Sequence, residues 1–91
     1  MLVTADELKN YLRIDTDEDD DFLEYLISDS QKRCLDVLRK EDLDDVDDTS
    51  KLRLGILYSS AYLYEHREDA DHNKLDLTLR ALFFADRGVA F

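Results

Sequence analysis

Asp15, Asp17 and Asp19 alternate along the chain, and a D-x-D-x-D run is how a calcium-binding EF-hand loop opens. That loop also requires glycine at its sixth position, for the sharp turn, and a bidentate glutamate at its twelfth. Here those positions hold Asp20 and Leu26, so the ligand set is incomplete and the run reads as a solvated acidic turn. His66 and His72 sit among Glu65, Glu68, Asp69 and Asp71, but no HExxH or paired Cys-His spacing accompanies them. A histidine close to a helix C-terminus is accounted for by the helix dipole. Ser59 and Ser60 lack a nucleophile elbow, and on a helix His66 lies nearly two turns beyond them. Cys34 falls on an apolar stripe, where an inert buried thiol is the ordinary state. No metal, cofactor or catalytic set is expected from these residues, and the chain does not read as an enzyme.

Glu65 and Arg67 raise a different possibility. Two apart on a helix, they point to different faces, so each can pair with a different element or a different subunit. A guanidinium can hold a carboxylate bidentately, which an acidic chain offers in plenty. The alternative is two solvated charges at a helix end.

The elements that must position these groups are helical. The chain has no proline and only Gly55 and Gly88, too little punctuation for a set of strands and turns. Thr4-Ala5-Asp6-Glu7 forms a capping box that starts a short helix over 5–12, with Leu8, Tyr11 and Leu12 inward. A long helix runs from Asp19 or Asp20 to about Arg39, with Phe22, Leu23, Leu26, Ile27, Cys34, Val37 and Leu38 at three-four spacing. Leu43 and Val46 are candidate anchors in the loop that follows. Thr49 or Ser50 caps a third helix reaching to about Glu68, and Asn73 caps a final helix from Lys74 to about Asp86. In that last helix Leu75, Leu79, Leu82 and Phe83 make the stripe, while Leu77 and Phe84 fall off it. The fold class is all-α: a small bundle of about four helices, one short, two long and one medium.

Residues 54 to 64, LGILYSSAYLY, carry no charge in a chain that is 38% charged. A helix apolar beyond one face must be covered on most of its circumference. At 91 residues the chain is one domain with a thin core, so oligomerisation is a natural supplement. The Tyr58 and Tyr62 side, with Glu65 and Arg67, is therefore the expected subunit interface, unless the short first helix covers it.

The net charge of −11 is concentrated in two runs, Asp15 to Asp21 and Glu41 to Asp48. They hold 12 of the 23 acids, which leaves 11 acids against 12 Lys and Arg in a nearly neutral remainder. Phosphate affinity comes from clustered Lys and Arg, so the chain is not expected to grip nucleic acid. An acidic surface can nevertheless face DNA where the task is to let it slide. The charge-free run is too short to span a bilayer, and the N-terminus has neither the basic flank nor the apolar stretch of a signal peptide. With a lone cysteine, a reducing intracellular compartment is expected.

LKNYLRIDTDEDDDFLEYLISDSQKRCLDVL followed by LRLGILYSSAYLYEHRE resembles the small head–tail connector (adaptor, or head-completion) proteins of long-tailed bacteriophages. The resemblance rests on an L-R-I-D helix ending at Leu12 to Asp15 and a D-D-x-x-L-x-x-L-I opening at Asp19 to Ile27. Its third part is a Y-E-x-R-E-like close at Tyr64 to Glu68. Asp29 and Ser30 stand where small apolar residues are usual, no proline opens the last helix, and FADR replaces the frequent L-x-P-Y-R, with Arg87 matching its arginine. The resemblance implies a helical subunit over 1–87 that forms a homo-oligomeric ring, typically of twelve copies, beneath the portal protein at the capsid vertex. Such a ring extends the DNA channel and presents a surface to a tail or stopper protein. It implies a place at the head–tail junction of the virion, reached by assembly in the host cytoplasm. The family attaches to portal through its C-terminal segment, here Arg87, Gly88, Val89, Ala90 and Phe91. Val89 and Phe91, at alternate positions in an uncharged tail over 88–91, suit an extended segment laid in a groove on a partner. Folding of Phe91 back over the last helix is the alternative. An acidic binding module, such as a DNA mimic inhibiting a nucleic-acid-binding protein, is the competing function.

Overall fold

A computed structural model describes residues 2–16, 18–41, 43, 46 and 49–84. Four helices form in the order α1 (Ala5–Leu12), α2 (Asp20–Leu38), α3 (Ser50–Glu65) and α4 (His72–Phe84), and the described residues include no strand. The expected all-α bundle is what forms, with one short helix, two long and one medium.

The capping box is complete: Glu7 N–H donates to Thr4 Oγ1 at 3.2 Å and Thr4 N–H to Glu7 Oε1 at 3.4 Å. α1 and α2 then end by the same device. Arg13 and Arg39 adopt left-handed backbone, with φ of 62° and 60°. The following amides, Ile14 and Lys40, reach back to the carbonyls of Lys9 and Leu35, each at 2.9 Å. Neither stop needs glycine, although glycine would adopt that conformation at less cost.

Two boundaries differ from expectation. α3 ends at Glu65, because His66 leaves helical geometry and His66–Asp69 forms a turn. α4 begins at His72, two residues earlier than its expected start at Lys74, and its cap is Asp71, whose Oδ1 accepts from Lys74 N–H at 3.0 Å. Asp71 accepts as a carboxylate at the positive end of the helix, so it outcompetes Asn73 for that role.

α2 and α3 make the most extensive interhelix contact, and α1 and α4 each pack on both. Between them lies one core: Val3, Leu8, Leu23, Ile27, Cys34, Leu35, Leu52, Ile56, Ala61, Leu75, Leu79 and Phe83. Leu43 and Val46 pack against it as expected. Tyr11 does not turn inward as expected; it is exposed, since Val3 and Leu8 fill the space beneath α1. Gly55 allows a close approach of α3 to α4 and α2: a Cβ there would lie 2.5 Å from Phe83 Cζ and 3.4 Å from Cys34 Sγ.

Charged side chains tie the helices together at the margins. Lys9, nearly buried, pairs with Asp20 Oδ1 at 2.6 Å, joining α1 to α2. Arg53 of α3 pairs with the Glu7 carboxylate and donates to Leu2 O at 2.9 Å. Leu2 N–H in turn donates to Gln31 Oε1 at 3.1 Å, fixing the N-terminal segment on α2. Asp20 is thus a structural partner, not part of a purely solvated acidic run.

Candidate functional site

The acidic start of α2 and the end of α3 meet. Tyr64, in the last turn of α3, donates from its phenol to Asp19 Oδ2 at 2.8 Å. This bond, together with some desolvation, raises the Tyr64 pKa above the ordinary phenol value, because Asp19 favours the protonated donor. Asp19 occupies the N-cap position of α2 but makes no side-chain capping bond, since its carboxylate is committed to α3.

Arg67 completes the cluster. Its guanidinium carbon lies 4.4 Å from the Tyr64 ring centroid and 5.0 Å from that of Phe22, whose own centroid is 6.2 Å from Tyr64. Its Nε donates to Tyr64 O at 3.2 Å, and Nη2 stands 3.9 Å from Asp19 Oδ2. The carboxylate from another helix is therefore present, but it is approached by one nitrogen and not bidentately. Because α3 ends at Glu65, Arg67 is placed by the turn that follows, so helix-face spacing does not set its direction. Half of its side-chain surface, 51%, remains open. Tyr64, Glu65, Arg67, Glu68 and Asp69 line a shallow cleft at this end of the molecule.

The tyrosines expected at a subunit interface are half-buried and pack against the subunit's own core. Tyr62 Oη accepts from Asp71 N–H at 2.9 Å, and its ring centroid lies 4.5 Å from that of His66. Tyr58 shares that helix face one turn earlier, and Glu65 is exposed at its end. Tyr58, Tyr62 and Glu65 thus share a face, while Arg67 leans across the helix end toward α2. Residues 87–91, the expected portal contact, lie outside the described residues.

The remaining candidates resolve into intrachain roles. His66 Nδ1 lies 3.3 Å from Asp69 Oδ1, and His72 Nδ1 is 2.8 Å from Arg33 Nη2, so the histidines take separate partners. Arg33 also donates to Asp76 Oδ1 at 2.9 Å, clasping α2 to α4. Cys34 is fully buried 4.0 Å from Ser59 Oγ, and burial pushes its thiol up to about 12. Among the described residues no group of His, Cys, Asp or Glu is placed to hold a metal ion. No helix among them is long and apolar enough to cross a membrane. What this end of the molecule offers is a preorganised cation on an aromatic seat, ringed by carboxylates, which suits association.

The sequence matches the family described as phage gp6-like head-tail connector protein over residues 3–83. The chain belongs to that family. No curated protein and no solved structure matches this connector. The matched span takes in α1 to α3 whole and α4 up to its penultimate residue, beyond the Glu68 limit of the motif resemblance. The two motif blocks that carry the resemblance touch each other: Asp19 and Phe22 come from the first, Tyr64 and Arg67 from the second. Phe22 was expected on the core stripe of α2. It lies half-buried at the rim as part of the Arg67 seat, and its place at the extreme start of the stripe was the only sequence signal for this.

Proposed function

We propose that this connector is a ring subunit, of typically twelve copies, that joins the portal protein to a tail or stopper protein and extends the DNA channel. The observation that carries the reading is the Arg67 cluster. A guanidinium held on Phe22 and Tyr64 has lost much of its conformational freedom and still exposes half its surface. Such a group binds a neighbour's carboxylate at lower entropic cost than a free arginine. The Tyr58 and Glu65 face is the proposed continuation of the subunit interface. Tyr62 supports that face from within, through its hydrogen bond from Asp71 N–H and its ring contact with His66.

The role is structural, with no catalysis, cofactor or membrane involved. Residues 87–91 are the proposed portal contact. The acidic excess discourages passing DNA from adhering to the channel wall, because like charges repel. A DNA mimic needs its carboxylates free along one rigid face, whereas Asp19 and Asp20 are spent on Tyr64 and Lys9.

Native mass spectrometry of the chain, alone and mixed with portal protein, tests the proposal. A closed oligomer on portal, weakened by Arg67→Glu, is the expected result. A chain that stays monomeric and never joins portal contradicts it.

A further inference from the structure

α2 is divided by charge along its length. Its first half holds Asp20, Asp21, Glu24 and Asp29 with no Lys or Arg, while Lys32, Arg33, Arg39 and Lys40 follow, against Asp36 alone. Tyr25 lies in the acidic half and is 65% exposed, a large aromatic side chain turned away from the core. Tyr25, Asp29, Lys32 and Asp36 recur at spacings of four, three and four, so they share one stripe of the helix. Beside the basic half a trough runs between α2 and α4. Its narrower part, about 340 Å³, is lined by Asp29, Lys32, Asp36, Val37 and Arg80 among others. It shares Asp36, Val37 and Arg80 with a groove of about 790 Å³ whose apolar wall includes Leu77, itself 65% exposed. We propose that this side of α2 pairs antiparallel with the same side of a second copy, each Tyr25 entering the other copy's trough.

Charge complementarity selects a second copy as the occupant. The acidic, aromatic half of α2 is what a trough edged by Lys32, Arg39 and Arg80 requires, and the chain carries both. The four-three-four spacing reads the same from either end. With Tyr25 set against Asp36 of the partner copy, Asp29 therefore falls opposite Lys32 and Asp21 reaches the Arg39–Lys40 end. A parallel pairing would instead set acid against acid. At its seat the Tyr25 phenol has a carboxylate to donate to, Asp36, and a guanidinium for its ring, Arg80. The patch is self-complementary, so the contact closes at two copies and does not by itself build a ring. It is a second interface, independent of the one proposed for Arg67. The charge of −11 on each copy opposes association at long range, so the pair forms only at high concentration.

Sedimentation equilibrium of the portal-free, full-length chain over a concentration series tests this. A monomer–dimer equilibrium is expected, with Leu77 methyl shifts that follow the dimer fraction. Tyr25→Ala, at an exposed position, should weaken the pair about tenfold or more and leave the melting temperature of the dilute chain unchanged. Asp29→Lys and Lys32→Asp should each weaken it about tenfold, and the two together should restore it, because both charges of each pair are then reversed. Arg67→Glu should leave the pair intact, so this interface and the Arg67 contact fail separately. A chain that stays monomeric at the highest concentration overturns the proposal, as does a dimer indifferent to Tyr25→Ala or a double reversal that restores nothing. Leu77 methyl shifts that ignore dimer formation also overturn it, since they assign the groove to another occupant.

Discussion

Tyr64 and Asp19 are far apart in sequence and 2.8 Å apart in space, phenol to carboxylate, and this bond pins the end of α3 to the start of α2. Its strength depends on the phenol proton, which the folded state holds more tightly than the unfolded chain does. The stabilisation is therefore complete below the ordinary phenol pKa of about 10 and is lost as pH rises through the higher folded value. Tyr64→Phe should cost about 1 kcal/mol at pH 7, a typical net value for such a bond at a solvated edge. Urea denaturation of both proteins between pH 7 and 11 checks this. The gap should close at the alkaline end, and a gap that stays constant would show the bond to be energetically silent.

Arg67 separates intrachain from interchain effects. Within the subunit it has one ion-pair contact at 3.9 Å, one exposed hydrogen bond from Nε to Tyr64 O and two ring contacts on a half-exposed side chain. Such contacts are worth about 1 kcal/mol or less at an exposed site. Arg67→Ala should therefore lower the melting temperature only slightly, while assembly with portal falls much further. Arg67→Lys should keep the melting temperature and still impair assembly, since an ammonium does not reproduce the stacked planar fork. Equal small losses in both assays would confine Arg67 to its own subunit.

Gly55 lets α3 approach Phe83 of α4, and an added methyl would sit 2.5 Å and 2.8 Å from that ring. Alanine gains about 1 kcal/mol of helix propensity over glycine, whereas overpacking a buried site costs about 1–3 kcal/mol. Gly55→Ala should thus be destabilising by about 1 kcal/mol net. In a Phe83→Leu background the ring is gone and the same change should become stabilising. A thermal double-mutant cycle that shows no coupling would mean the ring swings aside freely.

Much of this was readable from residue order. The capping box set α1, and the three-four spacing from Leu23 to Leu38 set α2, because both are local periodic signals. The end of α3 and the start of α4 were not, since His66 to Asp71 is settled by turn contacts that no spacing rule specifies: Tyr62 Oη accepts from the Asp71 amide and Asp69 N–H donates to His66 O. The aromatic seat of Arg67 was hidden for the same reason. Asp19 is one of six acids in its run, and nothing in the chain says which one Tyr64 selects.

Cys34 is fully buried, and its thiol is pushed up to about 12 mainly by burial. A thiolate is the reactive species, so the folded protein should resist thiol reagents at pH 8 and react only through opening. The labelling rate should rise with urea in step with unfolding. Rapid labelling of the native chain would contradict the packing around Gly55 and Ser59.

As a head–tail connector, this chain should be a structural part of the virion at the head–tail junction. Cryo-electron microscopy of the neck of purified particles tests it most directly. Repeated four-helix density should encircle the channel beneath the portal, with α3 ends and Arg67 at contacts between neighbouring copies. Neck density into which this subunit cannot be fitted, in particles that contain no copy of the chain, would contradict it.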